Sequence, residues 1–238
     1  MNLIADAGNT VLKAALCEGV TLGKTFRYQG EKRIAYIEDL CHKLYPKVLV
    51  YCSARVVDAE DMKRLEACAN KLVLIDPLHK EAFEDLDVPS YLTPDAMACI
   101  KAARHMFMGQ GCSIFDFGTT LSSIFLDEKG AFIGSAISPG CTTRFRSISR
   151  YARNLPLLSE SEDTGIIGHS LEESIRCGVV SGIVFEVESY ISNYPQNINI
   201  FTGGDANYFV KRSKSPIFVA CNLVLMGIAL IAFENENI

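Results

Sequence analysis

Asn2-Leu3-Ile4-Ala5-Asp6-Ala7-Gly8-Asn9-Thr10-Val11-Leu12-Lys13 opens the chain, and Ser113-Ile114-Phe115-Asp116-Phe117-Gly118-Thr119-Thr120-Leu121 repeats its plan far downstream. In each stretch a short apolar strand carries an aspartate to its end, a glycine and a threonine form the turn, and a second strand follows. A carboxylate beside such a turn is suited to a metal-bound phosphate: the phosphate takes backbone N–H donors and the cation takes hard oxygen. Finding the arrangement twice predicts two related halves closing on one nucleotide.

Working outward from the first turn, residues 11–17 and 20–28 read as strands, so the turn is the tip of a hairpin. Residues 34–44 have helical spacing, 48–51 form a fully apolar run typical of a strand buried on both faces, 59–69 read as a helix, and 72–75 as a buried strand stopped by Asp76-Pro77. The second half restarts the order, with strands at 113–117, 121–126 and 131–137, helices at 143–154 and 171–192, and a late buried strand at 198–202. Strands feeding helices on one sheet define an α/β class. Met106-Phe107-Met108-Gly109-Gln110-Gly111 breaks the preceding helix, which gives lobes 1–108 and 109–238, with the C-terminal helix able to pack back on the first.

Composition fits this plan. The chain has 238 residues, enough for two small cores, and its 49% hydrophobic and 21% charged residues are those of a globular protein. A net charge of -5 argues against a nucleic-acid surface, which needs clustered Lys and Arg. The nine cysteines form no C-x-x-C pair, so they read as reduced thiols of a cytoplasmic protein and not as a metal cluster. No basic segment followed by a long apolar run stands at the N-terminus, and 223–233 is too short to span a bilayer; no membrane role is expected.

Asp6, Gly8, Asn9, Thr10 and Lys13 supply the parts a phosphoryl-transfer site needs: turn donors, a carboxylate able to reach a cation, and a lysine. An ordinary hairpin would also use Asn and Gly here. Asp116, Gly118, Thr119 and Thr120 place a carboxylate and two hydroxyls in the equivalent setting, where the alternative is turn capping. Gly203-Gly204, after the 198–202 strand, let the backbone approach a flat ligand and leave a helix N-terminus facing it, although glycine there also serves packing. Neither G-x-x-x-x-G-K-[ST] nor G-x-G-x-x-G occurs, there is no G-x-S-x-G, and the four histidines are scattered, so P-loop, Rossmann and hydrolase readings lack support.

Together, Asp6-x-Gly8-Asn9-Thr10-x-x-Lys13, Asp116-x-Gly118-Thr119 and Thr202-Gly203-Gly204 resemble the actin-like ATPase superfamily, and within it the type III pantothenate kinase family. Gly134-Ser135-Ala136-Ile137-Ser138-Pro139-Gly140, running on through Arg144-Phe145-Arg146 to Asn154-Leu155-Pro156, is similar to that family's G-G-x-I-x-P-G segment and the helix ending in L-P. Ile167-Gly168, Ser174-Ile175-Arg176-Cys177-Gly178, and Asn222-Leu223 with Gly227 match further family segments. The resemblance implies two tandem actin-like (ribonuclease H-like) α/β lobes with a nucleotide cleft between them. It implies an ATP-dependent kinase that phosphorylates the primary hydroxyl of pantothenate, the first step to coenzyme A. In such an enzyme the first turn, from Asp6 to Lys13, and Gly203 with Gly204 would hold ATP together with Mg2+. Asp116 would bind a monovalent cation (K+ or NH4+), Thr119 would contact ATP, and a homodimer would place the pantothenate pocket near its interface.

The acceptor side departs from the family pattern. Where the family has G-x-D-R, with the aspartate as general base, this chain reads Thr93-Pro94-Asp95-Ala96. Asp95 persists as candidate base, and equally as part of a helix start with Pro94 in the first turn. Ala96 replaces the arginine that pairs a carboxylate bidentately. Leu171 aligns with a family threonine, Ser170 stands beside it as a substitute, and Tyr91 corresponds to the substrate-contacting tyrosine; with Thr93 and Pro94 these complete the expected acceptor side. Thr93, Ala96 and Leu171 also motivate two alternatives: a divergent paralogue that binds nucleotide without phosphorylating pantothenate, and a kinase of another small hydroxyl compound.

Overall fold

Leu3, Ile4 and Ala5 are fully buried because the strand Asn2–Ala7 (β1) runs through the middle of a five-stranded sheet. The computed structural model describes residues 1–161 and 164–236, which form two compact units: Met1–Met106 with the chain from Asn222 on, and Phe107–Cys221. In the first unit, Leu12–Glu18 (β2) and Thr21–Tyr28 (β3) continue antiparallel from β1, while Val48–Ser53 (β4) and Lys71–Ile75 (β5) lie parallel on its other side, in the order β3-β2-β1-β4-β5. All six residues of β4 are buried, as its unbroken apolar run predicts.

One face of this sheet packs on Arg33–Leu44 (α1) and Ala59–Ala67 (α2), through Leu3, Leu12, Leu49 and Tyr51 against Ile37, Leu40 and Leu65. Asp58 caps α2 by accepting from the Glu60 and Asp61 amides. Pro94–Met106 (α3) and the late helix Leu223–Glu234 (α7) also belong to this unit. They approach so closely that a Cβ on Gly227 would overlap the Ala98 carbonyl, so glycine is required there by packing. The apolar 223–233 stretch is therefore a buried helix, and among the described residues no helix is long and apolar enough to cross a membrane.

The second unit repeats the sheet order. Cys112–Phe117 (β6) is central, Thr120–Leu126 (β7) and Phe132–Pro139 (β8) extend it antiparallel, and Ile198–Gly203 (β9) with Phe218–Val219 (β10) extend it parallel, giving β8-β7-β6-β9-β10. Cys141–Tyr151 (α4), Leu171–Asn193 (α5) and Ala206–Val210 (α6) complete it around a core of Phe115, Phe117, Phe145, Phe201 and Phe209. Helix α4 starts two residues earlier and ends three earlier than its spacing suggests: Gly140 serves as N-cap directly after β8, and the Ala152 amide closes the last turn on the Ile148 carbonyl. The nine cysteines are all free thiols, and burial pushes Cys17 and Cys112 up to about 11 and Cys141 to about 12.

Candidate active site

Asp6 and Asp116 occupy the same place in the two sheets, one residue before the end of the central strand. In the first unit the register sets Asp6 across from Lys13 on β2 and beside Cys52 on β4. Register partners share a sheet face, so a carboxylate, an ammonium and a thiol stand together where the parallel strands β1 and β4 end. Beyond Asp6 the chain turns through Gly8, Asn9 and Thr10, with Asn9 and Thr10 exposed. Ala54 donates its amide to the Ala7 carbonyl at 3.2 Å, which ties the loop after β4 to the start of this turn.

Asp95 belongs to the same end of the first unit. Thr93 offers its carbonyl to the Met97 amide at 3.0 Å, Pro94 occupies the first helical position of α3, and Asp95 follows in the first turn, half-buried. The Cys52 thiol reports who stands near: burial first, and then the charges of Asp6, Asp95 and Asp76, push its pKa well above the ordinary thiol value. The phosphate-turn aspartate and the candidate base therefore both act on one buried sulfur. Tyr91 lies in a tight turn closed by the Leu92 amide on the Pro89 carbonyl and is 68% exposed; Ala96 is half-buried one residue beyond Asp95.

In the second unit Asp116 stands between Ser122 on β7 and Thr202 on β9. Gly203 has φ 93°, and a Cβ there would overlap both Asp116 Oδ1 and the Phe117 carbonyl. Gly203 is thus demanded twice, by its backbone conformation and by the carboxylate resting against it. Nothing lies within 4 Å of the Cβ position of Gly204, which is exposed and leads into the five-residue helix α6. The Thr119 carbonyl accepts from Gly140 N at 3.1 Å and from Thr143 Oγ1 at 2.6 Å, so this turn is held by the start of α4. Ser170 caps α5 by accepting from the Glu173 amide at 3.2 Å, while the Glu173 carboxylate reaches back past the cap to accept from the His169 amide at 2.8 Å; Leu171 begins the helix, 55% exposed.

A family model described as type III pantothenate kinase matches residues 2–193. The chain belongs to the type III pantothenate kinase family. A protein of Azobacteroides pseudotrichonymphae named type III pantothenate kinase is 32% identical over 100% of this chain and 98% of its own length. Among solved structures, a Campylobacter jejuni protein described as a Baf family transcriptional activator has a TM-score of 0.66 at 18% identity, covering 99% of this chain and all of that one. A ROK hexokinase from Thermus thermophilus has a TM-score of 0.55 at 11% identity, covering 99% of each. The fold is that of the actin-like ATPases and sugar kinases, built as two α/β lobes.

In this member of the family, the expected residues fall into two sets. Asp6, Gly8, Asn9, Thr10, Lys13, Tyr91, Thr93, Pro94, Asp95 and Ala96 belong to the first unit, whereas Asp116, Thr119, Ser170, Leu171, Gly203 and Gly204 belong to the second. The sequence pattern missed two residues of the first set. Arg33, the first residue of α1, donates from Nη1 to the Gly8 carbonyl and from Nη2 to the Asn9 carbonyl at 3.1 Å, gripping the phosphate-type turn from outside. Asp76 is fully buried; burial raises its pKa, but bonds from the Val57, Leu78 and His79 amides and the His79 ring outweigh it and leave the carboxyl below its ordinary value. One carboxylate thereby organises the loops after β4 and β5. Arg33 carries no motif around it, and Asp76 looks in sequence like a plain strand stop.

Proposed function

We propose that this protein transfers the γ-phosphoryl group of ATP to the primary hydroxyl of pantothenate, giving 4'-phosphopantothenate and ADP, the entry step to coenzyme A. What carries the reading, beyond family membership, is the first turn itself: Asp6 stands in register with Lys13 and Cys52 where β1 and β4 end, and Arg33 holds the Gly8 and Asn9 carbonyls of the turn that follows. Asp95 accepts the hydroxyl proton as that oxygen attacks phosphorus; the new P–O bond forms as the bond to the β-phosphate oxygen breaks, and ADP carries the electron pair away. The turn Gly8–Thr10 supplies amides to the phosphates, and Lys13 adds a positive charge to them.

Mg2+ would neutralise charge on the phosphates, and a single carboxylate such as Asp6 fits it, because Mg2+ keeps waters and phosphate oxygens as its other ligands. Among the described residues no cluster of three or more His, Cys, Asp or Glu forms a dedicated cage, in keeping with a metal that arrives with nucleotide. Asp116 is the residue that would hold a monovalent cation, K+ or NH4+, with Thr119, Gly203 and Gly204 contacting ATP. The protein would be a cytoplasmic homodimer. Ile133, Ile137, Ile166, Ile167, Leu171 and Phe185 of the second unit are all exposed, and large apolar side chains of this kind support such a pairing.

Purified protein is expected to form ADP only when pantothenate and ATP are both present, with 4'-phosphopantothenate identified by mass; Asp95→Asn should lose most of kcat. ATP binding without any pantothenate-dependent turnover would instead favour the nucleotide-binding paralogue, a reading that Ala96 in place of the family arginine keeps in view.

A further inference from the structure

A kinase for pantothenate must recognise two ends of one small molecule, a hydroxyl that reacts and a carboxylate that does not. Asp95 serves the first end, and the first turn of α3 offers nothing for the second, because the residue after Asp95 is Ala96. A cation is nevertheless built into the same loop. Lys80 Nζ donates to the Ser90 carbonyl and to the Leu92 carbonyl, both at 2.8 Å, so it brackets Tyr91 from beneath.

Three observations separate Lys80 from an ordinary surface lysine. Among the described residues it joins no ion pair, so its charge is shared with neutral carbonyls alone. An ammonium has three donors and Lys80 spends two, leaving one directed elsewhere. The side chain is half-buried and pinned at its tip, so the entropy of ordering a long flexible stem is already spent before a ligand arrives. Its place also suits the molecule: Leu92 and Asp95 are three residues apart, so their Cα atoms lie within about 11 Å of each other, the scale of an extended pantothenate.

We propose that Lys80 receives the carboxylate of the acceptor while Asp95 takes the proton of its hydroxyl, making Lys80 a specificity residue of the same reaction. The proposal rests on the pantothenate kinase reading above. It assigns to the Tyr91 loop the positive charge that the first turn of α3 lacks, and it explains why a lysine is anchored there by carbonyls instead of by a carboxylate that would cancel it.

The test compares pantothenate with its alcohol analogue, in which CH2OH replaces the carboxylate, in the wild type, Lys80→Met and Lys80→Arg. For Lys80→Met we expect KM for pantothenate to rise about tenfold or more while KM for the alcohol stays within about twofold, with Lys80→Arg restoring most of the difference. An equal rise for both acceptors would overturn the proposal and leave Lys80 as a clamp on the loop, since a disordered Tyr91 turn cannot tell a carboxylate from an alcohol. No change for either acceptor would overturn it as well. Wild-type protein that phosphorylates neither compound would instead sink the functional reading itself, and with it the role of Lys80, before any variant is compared.

Discussion

Replacing Gly203 by alanine is the sharpest test of the reasoning about the second turn, because its neighbour provides the control. At φ 93° an alanine is strained, and its methyl would strike Asp116 Oδ1, forcing that carboxylate to rotate, and the Phe117 carbonyl, which cannot yield without moving β6. Positive φ costs a residue with a Cβ about 1–2 kcal/mol. Forcing the overlap adds about 1–3 kcal/mol. Gly203→Ala is therefore expected to lose about 2–5 kcal/mol, which for a chain of this size lowers Tm by roughly 5–15 °C. Gly204→Ala meets open space at an unremarkable φ and should stay within about 0.5 kcal/mol of the wild type. Thermal unfolding read by circular dichroism gives the comparison directly, and KM for ATP titrated against K+ shows whether displacing Asp116 weakens a cation site. If both variants melt within about 2 °C of each other, the close approach of Gly203 to Asp116 is not what fixes that glycine.

Arg33→Ala removes both donors that hold the Gly8 and Asn9 carbonyls; at a half-exposed site this is worth about 1–2 kcal/mol, so KM for ATP should rise about 5–30-fold with little change in Tm, and added guanidinium should recover part of the loss. An unchanged KM would show the turn to be ordered without it. Asp76 has a folded pKa below its unfolded value of about 3.9, so its contribution to stability is complete above that value and disappears as pH falls through the lower folded one. Asp76→Asn should accordingly be less stable at neutral pH and lose less on acidification; a parallel acid limb in wild type and variant would refute this.

The central hairpins were readable from sequence because strand, acidic glycine turn and strand are local, and period-two patterning with turn residues announces them. The strands β1, β4, β6 and β9 stand where their apolar runs place them, and their shared register explains why Asp6 and Asp116 look alike in one dimension. Two-residue β10 and five-residue α6 are too short to leave a periodic trace. The apolar character of 223–233 announced burial but not location, because a helix apolar all round does not name the face it will cover. The role of Gly227 depends on Ala98, far away in sequence. Arg33 and Lys80 were invisible for a related reason: each acts on backbone carbonyls, and a carbonyl acceptor has no residue identity to betray it.

The return of α7 to the first sheet has a consequence for how the protein is made. Its second unit is one uninterrupted stretch, Phe107–Cys221, whereas the first is built from both sides of that stretch. On the ribosome β1 to α3 emerge early but must wait, with Ala98 and the sheet face over β1 uncovered, until the last helix is synthesised. The chain of the second unit is thus complete before that of the first, whose core can close only when α7 arrives. A stop codon ahead of Leu223 would leave the finished half intact and expose the half that carries Asp6 and Asp95.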